Sequence, residues 1–263
     1  MTTKTLFNSS HRVQAEVIGI PVDIGNIKGI SKKLMLLAGQ KNNAGGYICV
    51  ANVHMLTIAH ESAVFKSALQ NAKLVVPDGM PLVWTQKLKG FKQAERVSGP
   101  DLMLELCKLA SLEGKSIYLL GSNAQTLSLL SQKLLGQFPN LQIAGIYAPE
   151  KLPEQALLDQ SLVDKINSSG ASFLFVGLGC PKQEYWCATH APHLKAIALG
   201  VGAAFDFHAG TKKRPPKLIQ QWGLEWLYRL LSEPGRLWRR YLVSNSEFVY
   251  LSLKDFLGFK QHN

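Results

Sequence analysis

The feature that most constrains the fold of this sequence is a regular alternation of short apolar runs with longer amphipathic stretches. The apolar runs are rich in β-branched residues and predict strands at residues 16–20, 47–51, 73–76, 116–120, 141–147, 172–176 and 196–199. Helical periodicity between them predicts helices at residues 55–71, 101–112, 124–137, 154–167 and 182–190. This order of strands and helices predicts an α/β fold, in which a mostly parallel sheet carries helices on both faces.

The C-terminal part of the chain differs in composition from the rest. From residue 208 onward there are ten Lys or Arg residues and four Asp or Glu residues. This stretch therefore carries a charge of +6, more than half of the net charge of +11. Pro215 and Pro216 interrupt any regular element, and two helices rich in aromatic residues are predicted after them, at residues 218–231 and 235–244. We therefore predict a Rossmann-like domain over residues 1–207 and a basic, aromatic helical appendage over residues 208–263.

Composition excludes several classes of protein. Four cysteines without a CxxC pair are too few for a disulfide scaffold, so reduced thiols and a cytoplasmic protein are expected. The longest uninterrupted apolar run has 10 residues, at 196–205, which is too short to span a bilayer, and residues 1–12 lack a signal-peptide core. The net charge of +11 indicates a polyanionic partner: nucleic acid, anionic lipid or a phosphorylated small molecule.

The chemistry is expected where the strands end, because ligands of open parallel sheets bind outside the carboxyl ends of the strands. Asn52 follows the second predicted strand and Asp78 the third, while Gly177, Gly179 and Gln183 lie in or after the loop that follows the sixth. Glycine lets a backbone approach a ligand closely, and helix N-termini attract anions. Asp78 is interpreted either as a helix N-cap or as a general base that takes a proton from an attacking hydroxyl.

Common nucleotide-binding motifs are missing from the sequence. Neither Gly177–Gly179 nor Gly200–Gly202 completes a GxGxxG motif, because Lys182 and Phe205 occupy the positions of the third glycine. There is also no GxxxxGK[ST] motif. No DxD triplet occurs that would hold a metal against a nucleotide diphosphate, and we expect no metal or other cofactor. Arg96 can pair with a surface carboxylate, or it can bind a phosphate or a sugar carboxylate.

The arginines of the appendage form a further cluster. Arg236, Arg239 and Arg240 are spaced i, i+3 and i+4, so they share one helical face beside aromatic residues. Such a face can be simply solvated, can lie on an anionic membrane surface, or can close over bound phosphates.

Seven short segments are informative in combination: ANVH at 51–54, VPDGMP at 76–81, RVSGPDL at 96–102, YLLG at 118–121, VGLGCPKQE at 176–184, GVGAAFD at 200–206 and GLEW at 223–226. With these segments the chain resembles the WecG/TagA/CpsF family of bacterial glycosyltransferases over residues 16–241. The family commonly has Thr where this chain has Val50, which predicts that one hydrogen bond to the substrate is lost.

The resemblance implies an inverting, metal-independent transfer of a hexose from a UDP-sugar to a polyprenyl-diphosphate-linked saccharide. The hexose is of the N-acetylmannosamine type, its uronic acid or a related sugar, and the product enters surface polysaccharide or teichoic acid synthesis. The enzyme is then peripheral at the inner face of the membrane, and homo-oligomerisation stays open. Asp78 would be the catalytic base, and the predicted substrate-binding residues are Asn52, Arg96, Gly177, Gly179, Gln183, Asp206, Arg229, Arg236 and Arg239.

Two other classes stay open from the residues alone. A nucleic-acid-binding protein would also be basic, but no such motif is present and we expect no nucleic-acid partner. A non-catalytic oligomerisation protein would use the Trp- and Leu-rich appendage as its interface, and the presence of Asp78 and Arg96 argues against it.

Overall fold

The computed structural model describes residues 12–40, 45–150 and 157–257 of the chain. It begins with an antiparallel hairpin of β1 (Gln14–Val17) and β2 (Ile20–Asp23). The prediction of a single strand at residues 16–20 is therefore wrong. The chain reverses at Ile18 and Gly19, whose φ angles of 42° and 80° form a tight turn inside an apolar run that otherwise suits a strand.

The centre of the fold is a six-stranded sheet in which all neighbouring strands are parallel. Its strands lie in the order β4-β3-β8-β7-β5-β6 and confirm the predicted Rossmann-like α/β class. Their bounds are β3 (Gly46–Ala51), β4 (Leu74–Pro77), β5 (Ser116–Gly121), β6 (Gln142–Tyr147), β7 (Phe173–Gly177) and β8 (Ile197–Gly200).

Twelve α-helices connect and cover these strands in the described part of the chain. They are α1 (Ile27–Ala38), α2 (Val53–Glu61), α3 (Ala63–Gln70), α4 (Met80–Leu88), α5 (Gly99–Glu113), α6 (Ala124–Gln137), α7 (Gln160–Ser168), α8 (Lys182–His190), α9 (Ala204–Ala209), α10 (Lys217–Gln221), α11 (Glu225–Ser232) and α12 (Pro234–Phe256). No helix was predicted at the positions of α1 and α9, and α4 was anticipated only through the N-cap interpretation of Asp78. The start of the predicted helix at 154–167 includes residues outside the described ones, and α7 begins only at Gln160.

The helix predicted at residues 55–71 is in fact two helices. Ser62 ends α2 with an extended backbone, and its hydroxyl accepts a hydrogen bond from the Phe65 N–H to cap α3. In the appendage, the helix predicted at 218–231 is broken at Gly223, which has a φ of 74°. A Cβ there would lie 3.0 Å from side-chain atoms of Met80 and Trp84, so a larger residue would have to displace α4 side chains as well as adopt a strained backbone.

Two apolar layers cover the faces of the sheet and fix the positions of the strand ends. One layer includes Met55, Leu56, Phe65, Tyr118 and Trp186, and the other includes Leu34, Leu102, Leu106, Leu130 and Phe205. Full burial of one such aliphatic or phenyl side chain stabilises the fold by about 1.5–3 kcal/mol. In the appendage, α12 packs against α2 and α11. No helix of the described ranges has the length and hydropathy of a membrane span.

Candidate active site

The carboxyl ends of β3 and β4 bring Asn52 and Asp78 to the same edge of the sheet. The Asp78 N–H donates a hydrogen bond to the Ala51 carbonyl at 2.8 Å. Asn52 is the N-cap of α2, and its side-chain oxygen accepts a bond from the Met55 N–H at 3.2 Å. Asp78 is not an N-cap, because α4 is capped by Gly79 without any side-chain bond. Its carboxylate is therefore available for another role.

Arg96 holds the Asp78 carboxylate in a fixed position. Its Nη2 lies 2.7 Å and its Nε 3.1 Å from Asp78 Oδ1, and the same Nε also donates to the Asp78 carbonyl. The same Nη2 lies 2.8 Å from Oε2 of Glu225, the first residue of α11. Asp78, Arg96 and Glu225 are only 24%, 18% and 14% exposed. Burial opposes the Arg96 charge, but the two carboxylates outweigh it and raise the pKa of Arg96.

Glu225 was not among the predicted site residues, although it belongs to the GLEW segment at 223–226. Its ion pair joins the appendage to the sheet edge across 129 positions of sequence. A second link of the same kind lies nearby, where Arg214 donates to both carboxylate oxygens of Asp101 at 2.6 and 2.7 Å. Asp101 is in the first turn of α5, where an acidic side chain is favoured by the helix dipole.

Asp78 and Arg96 border a long groove of about 750 Å³ between α4 and α12. The groove is polar beside the strand ends and apolar along the two helices. Its polar lining includes Asn52, Asp78, Arg96, Glu225, Arg229 and Arg240. Its apolar lining includes Met80, Trp84, Leu88, Phe248, Val249, Leu253, Phe256 and Leu257.

Arg240 points into this groove, whereas sequence reasoning treated it only as part of a basic face. Its buried Nε has no hydrogen-bond partner in the described part of the chain, and burial lowers its pKa. His54 lies nearby, with Nδ1 2.9 Å from the Ser244 hydroxyl. Burial, and secondarily the Arg240 charge, lower the pKa of His54 to about 4, so this imidazole is neutral near pH 7.

Arg229 supplies a further positive charge to the groove. Its guanidinium lies 5.8 Å from the centre of the Phe207 ring. Within residues 12–40, 45–150 and 157–257, neither Arg229 nor Arg240 forms an ion pair with a carboxylate. Their charges are therefore available to an anionic ligand. Arg229 also lines a smaller pocket of about 310 Å³, together with Phe207, Lys212, Lys213, Tyr228, Ser232 and Glu233.

The loop after β7 lies at the same edge of the sheet but does not line the groove. Gln183 is buried and donates to Glu184 at 2.7 Å, while its own carbonyl oxygen has no partner among the described residues. Gly177 is required by packing, since a Cβ there would lie 2.6 Å from the Phe205 ring. Gly179 has a φ of 77° and faces open space.

The remaining predicted residues lie in or near the appendage. Asp206 is in the first turn of α9, 3.7 Å from the Lys212 ammonium. Arg236 is exposed and pairs with Glu233 at 2.5 Å, and Arg239 is exposed on α12. The structure thus places four predicted residues in the groove, and it places Arg236 and Arg239 outside it. The four are Asn52, Asp78, Arg96 and Arg229.

Val50, at the position where the family commonly has Thr, lies beneath the site. It is buried in β3, and its Cγ1 would be 3.7 Å from a Cβ placed on Gly99 at the start of α5. The side chain therefore packs between the sheet and a helix, and it does not line the groove.

A carboxylate and unpaired arginines at the carboxyl edge of a parallel sheet, continuous with an apolar groove, define an α/β enzyme site suited to anionic, partly apolar ligands. The model of the glycosyl transferase WecG/TagA/CpsF family matches residues 15–262. The chain is also 33% identical over 214 residues to the N-acetylglucosaminyldiphosphoundecaprenol N-acetyl-beta-D-mannosaminyltransferase of Bacillus spizizenii, covering 81% of this chain and 80% of the relative. The chain belongs to the WecG/TagA/CpsF family of glycosyltransferases, which confirms the resemblance seen in the sequence.

Proposed function

We propose that this enzyme transfers an N-acetylmannosamine-type hexose from a UDP-sugar to a polyprenyl-diphosphate-linked saccharide, in the synthesis of a surface polysaccharide or teichoic acid. The name of the Bacillus spizizenii relative, a mannosaminyltransferase that acts on N-acetylglucosaminyldiphosphoundecaprenol, supports the sugar and the acceptor class. The observation that carries the proposal is the Asp78 carboxylate, held by Arg96 beside a groove that is lined by unpaired arginines and apolar side chains.

Asp78 is the proposed general base of an inverting transfer. The acceptor hydroxyl attacks C1 of the donor sugar while UDP leaves from the opposite side, and the carboxylate takes the hydroxyl proton. The two bonds that Arg96 donates to the Asp78 carboxylate both go to Oδ1, so Oδ2 is the oxygen proposed to take the proton. Such proton transfer contributes about 10²–10⁴-fold to the rate.

The departing UDP gains negative charge, which we propose is stabilised by arginines. Arg229 is the best placed of those predicted, because it lines the groove and has no carboxylate partner in the described residues. A role for Arg236 and Arg239 requires α12 to move toward the strand ends, since both now face solvent. Asn52 and Gln183 are proposed to bind the sugar. Asp206 is proposed to lie near the nucleotide, and Gly177 and Gly179 are proposed to contribute to substrate binding.

The appendage, residues 208–263, is also proposed to bring the enzyme to the inner face of the cytoplasmic membrane. Trp222, Trp238, Leu242 and Tyr250 are exposed, and the last three share α12 with Arg236, Arg239 and Lys254. Each Lys or Arg near an anionic leaflet contributes about 1 kcal/mol, and Trp and Tyr suit the headgroup layer. Truncation after Pro215 is expected to abolish sedimentation with anionic vesicles, and sedimentation that survives would place the membrane contact elsewhere.

The reaction is tested by UDP release from a panel of UDP-sugars, with and without a lipid-linked N-acetylglucosamine acceptor. We expect acceptor-dependent release with UDP-N-acetylmannosamine, its uronic acid or a closely related donor. A different preferred donor would correct the sugar while keeping the reaction class. No release with any donor would contradict the proposed transfer.

A further inference from the structure

We infer that the apolar part of the groove between α4 and α12 binds the first isoprene units of the acceptor's polyprenyl chain. The inference rests on the proposed function, from which it takes the acceptor. It adds a binding site for the chain and a direction in which the chain leaves the catalytic centre.

The groove is continuous with the proposed base. The helix α4 begins at Met80, two residues after Asp78, and its nine residues extend about 13 Å to Leu88. Trp84 and Leu88 therefore continue one wall directly away from the carboxylate. A ligand whose hydroxyl reaches Asp78 has this wall as the boundary for the rest of its length.

The chemical groups that line the groove change in order along α12. Arg240 and Ser244 line it from the first half of the helix, and Leu253 and Phe256 line it near the end. The acceptor has the same order of groups: a sugar hydroxyl, then a diphosphate, then a hydrocarbon chain. The Arg240 guanidinium, which has no carboxylate partner in the described residues, is accordingly assigned to the acceptor diphosphate, and the apolar side chains beyond it to the hydrocarbon.

The helix α12 is held by packing against α2 and α11, with Phe248 and Leu251 in the apolar core. Two polar contacts add to this packing on either side of the groove. Lys89, just after α4, pairs with Asp255 at 2.5 Å, and His54 bonds Ser244 at 2.9 Å. Several lining side chains between and beyond these contacts nevertheless remain about half exposed or more, namely Trp84, Leu88, Val249, Leu253, Phe256 and Leu257. Exposed apolar surface of this extent is typical of a binding site. Its concave form beside an anion site suits a single chain.

Two valines of α12 offer a matched test of this inference. Val249 lines the groove and is 56% exposed, whereas Val243 is 54% exposed and does not line it. Six positions apart, they differ in direction by about 120° around the helix axis. Val249→Asp places a charge against the proposed chain, and Val243→Asp places the same charge on a different face of the same helix.

Transfer is measured with two acceptors that share the N-acetylglucosamine diphosphate head and carry either a polyprenyl or a short alkyl chain. The wild-type KM is expected to be at least about tenfold lower for the polyprenyl acceptor. Val249→Asp is expected to raise that KM about tenfold, since burying a charge against hydrocarbon is costly. Val249→Asp is expected to leave the KM for the short-chain acceptor and the KM for the UDP-sugar unchanged. Val243→Asp is expected to change none of the three KM values.

Three results would overturn the inference. The wild type could have the same KM for both acceptors, or Val249→Asp could raise the KM of both acceptors equally. Val249→Asp and Val243→Asp could also raise the KM for the polyprenyl acceptor equally. The last result would show that α12 contacts bilayer or micelle rather than one chain.

A second measurement does not depend on turnover. A polyprenyl diphosphate with a diazirine in its second isoprene unit is photolysed with the enzyme, and labelled peptides are identified by mass spectrometry. We expect label in α4 and in residues 248–257, reduced by Val249→Asp and by unlabelled polyprenyl diphosphate. Label elsewhere overturns the inference. Label in the groove without sugar transfer supports the chain site and contradicts the proposed function alone.

Discussion

Replacing Asp78 with Asn tests the proposed chemistry most directly. The amide has the size of the carboxylate but cannot take the hydroxyl proton, so kcat is expected to fall about 10²–10⁴-fold, or about 3–5 kcal/mol of transition-state stabilisation. The amide oxygen can still accept from Arg96, which also keeps its bond to Glu225. Replacing the two charge-assisted bonds to Oδ1 by neutral ones is expected to lower the free energy of unfolding by about 1–3 kcal/mol.

Asp101→Asn is the matched control for this variant. Asp101 also pairs with a partly buried arginine, Arg214, but it does not line the groove. We therefore expect a similar loss of stability with nearly wild-type kcat. The assay compares initial rates of UDP release at saturating donor and acceptor with urea unfolding of the same preparations. The reasoning fails if Asp78→Asn keeps kcat within about threefold of wild type, or if Asp101→Asn loses as much activity.

Three further predictions concern the appendage and the buried acid near it. Glu225→Gln removes one of the two carboxylates that bind Arg96, so we expect faster limited proteolysis between α10 and α11 and a lower kcat; unchanged proteolysis would show that this pair does not hold the appendage. Burial raises the pKa of Glu184 to about 7, so the folded state binds more protons than the unfolded state, and stability falls as pH rises from about 4.5 to 7. The free energy of unfolding of Glu184→Gln, measured with urea, is therefore expected to equal that of the wild type at pH 4 and to exceed it by about 3 kcal/mol at pH 8. An equal dependence of the two proteins on pH would contradict this. Combined Arg236→Ala and Arg239→Ala changes are expected to lower kcat, and unchanged turnover would remove both residues from the proposed stabilisation of UDP.

Local sequence patterns were sufficient to predict the sheet and one part of the site. Alternating apolar runs and amphipathic stretches depend on neighbouring residues, so they indicate the strands of the parallel sheet without any knowledge of the tertiary fold. Because parallel strands end at one edge, the positions of Asn52 and Asp78 along the chain already indicate that they lie together. The turn at Ile18 and Gly19 could not be predicted from this pattern, because its residues are apolar like those of the strands around it.

The sequence by itself therefore determined the α/β class, the sheet edge that carries the chemistry and the identity of the candidate base. Only the tertiary structure decided which distant groups meet that base. Glu225 reaches Arg96 because α11 packs beside the sheet edge, and Arg240 rather than Arg236 or Arg239 enters the groove because contacts with α2 set the rotation of α12. Strand and helix propensity arises from near neighbours along the chain, whereas the direction in which a helix face points is set by the apolar surface that it packs against.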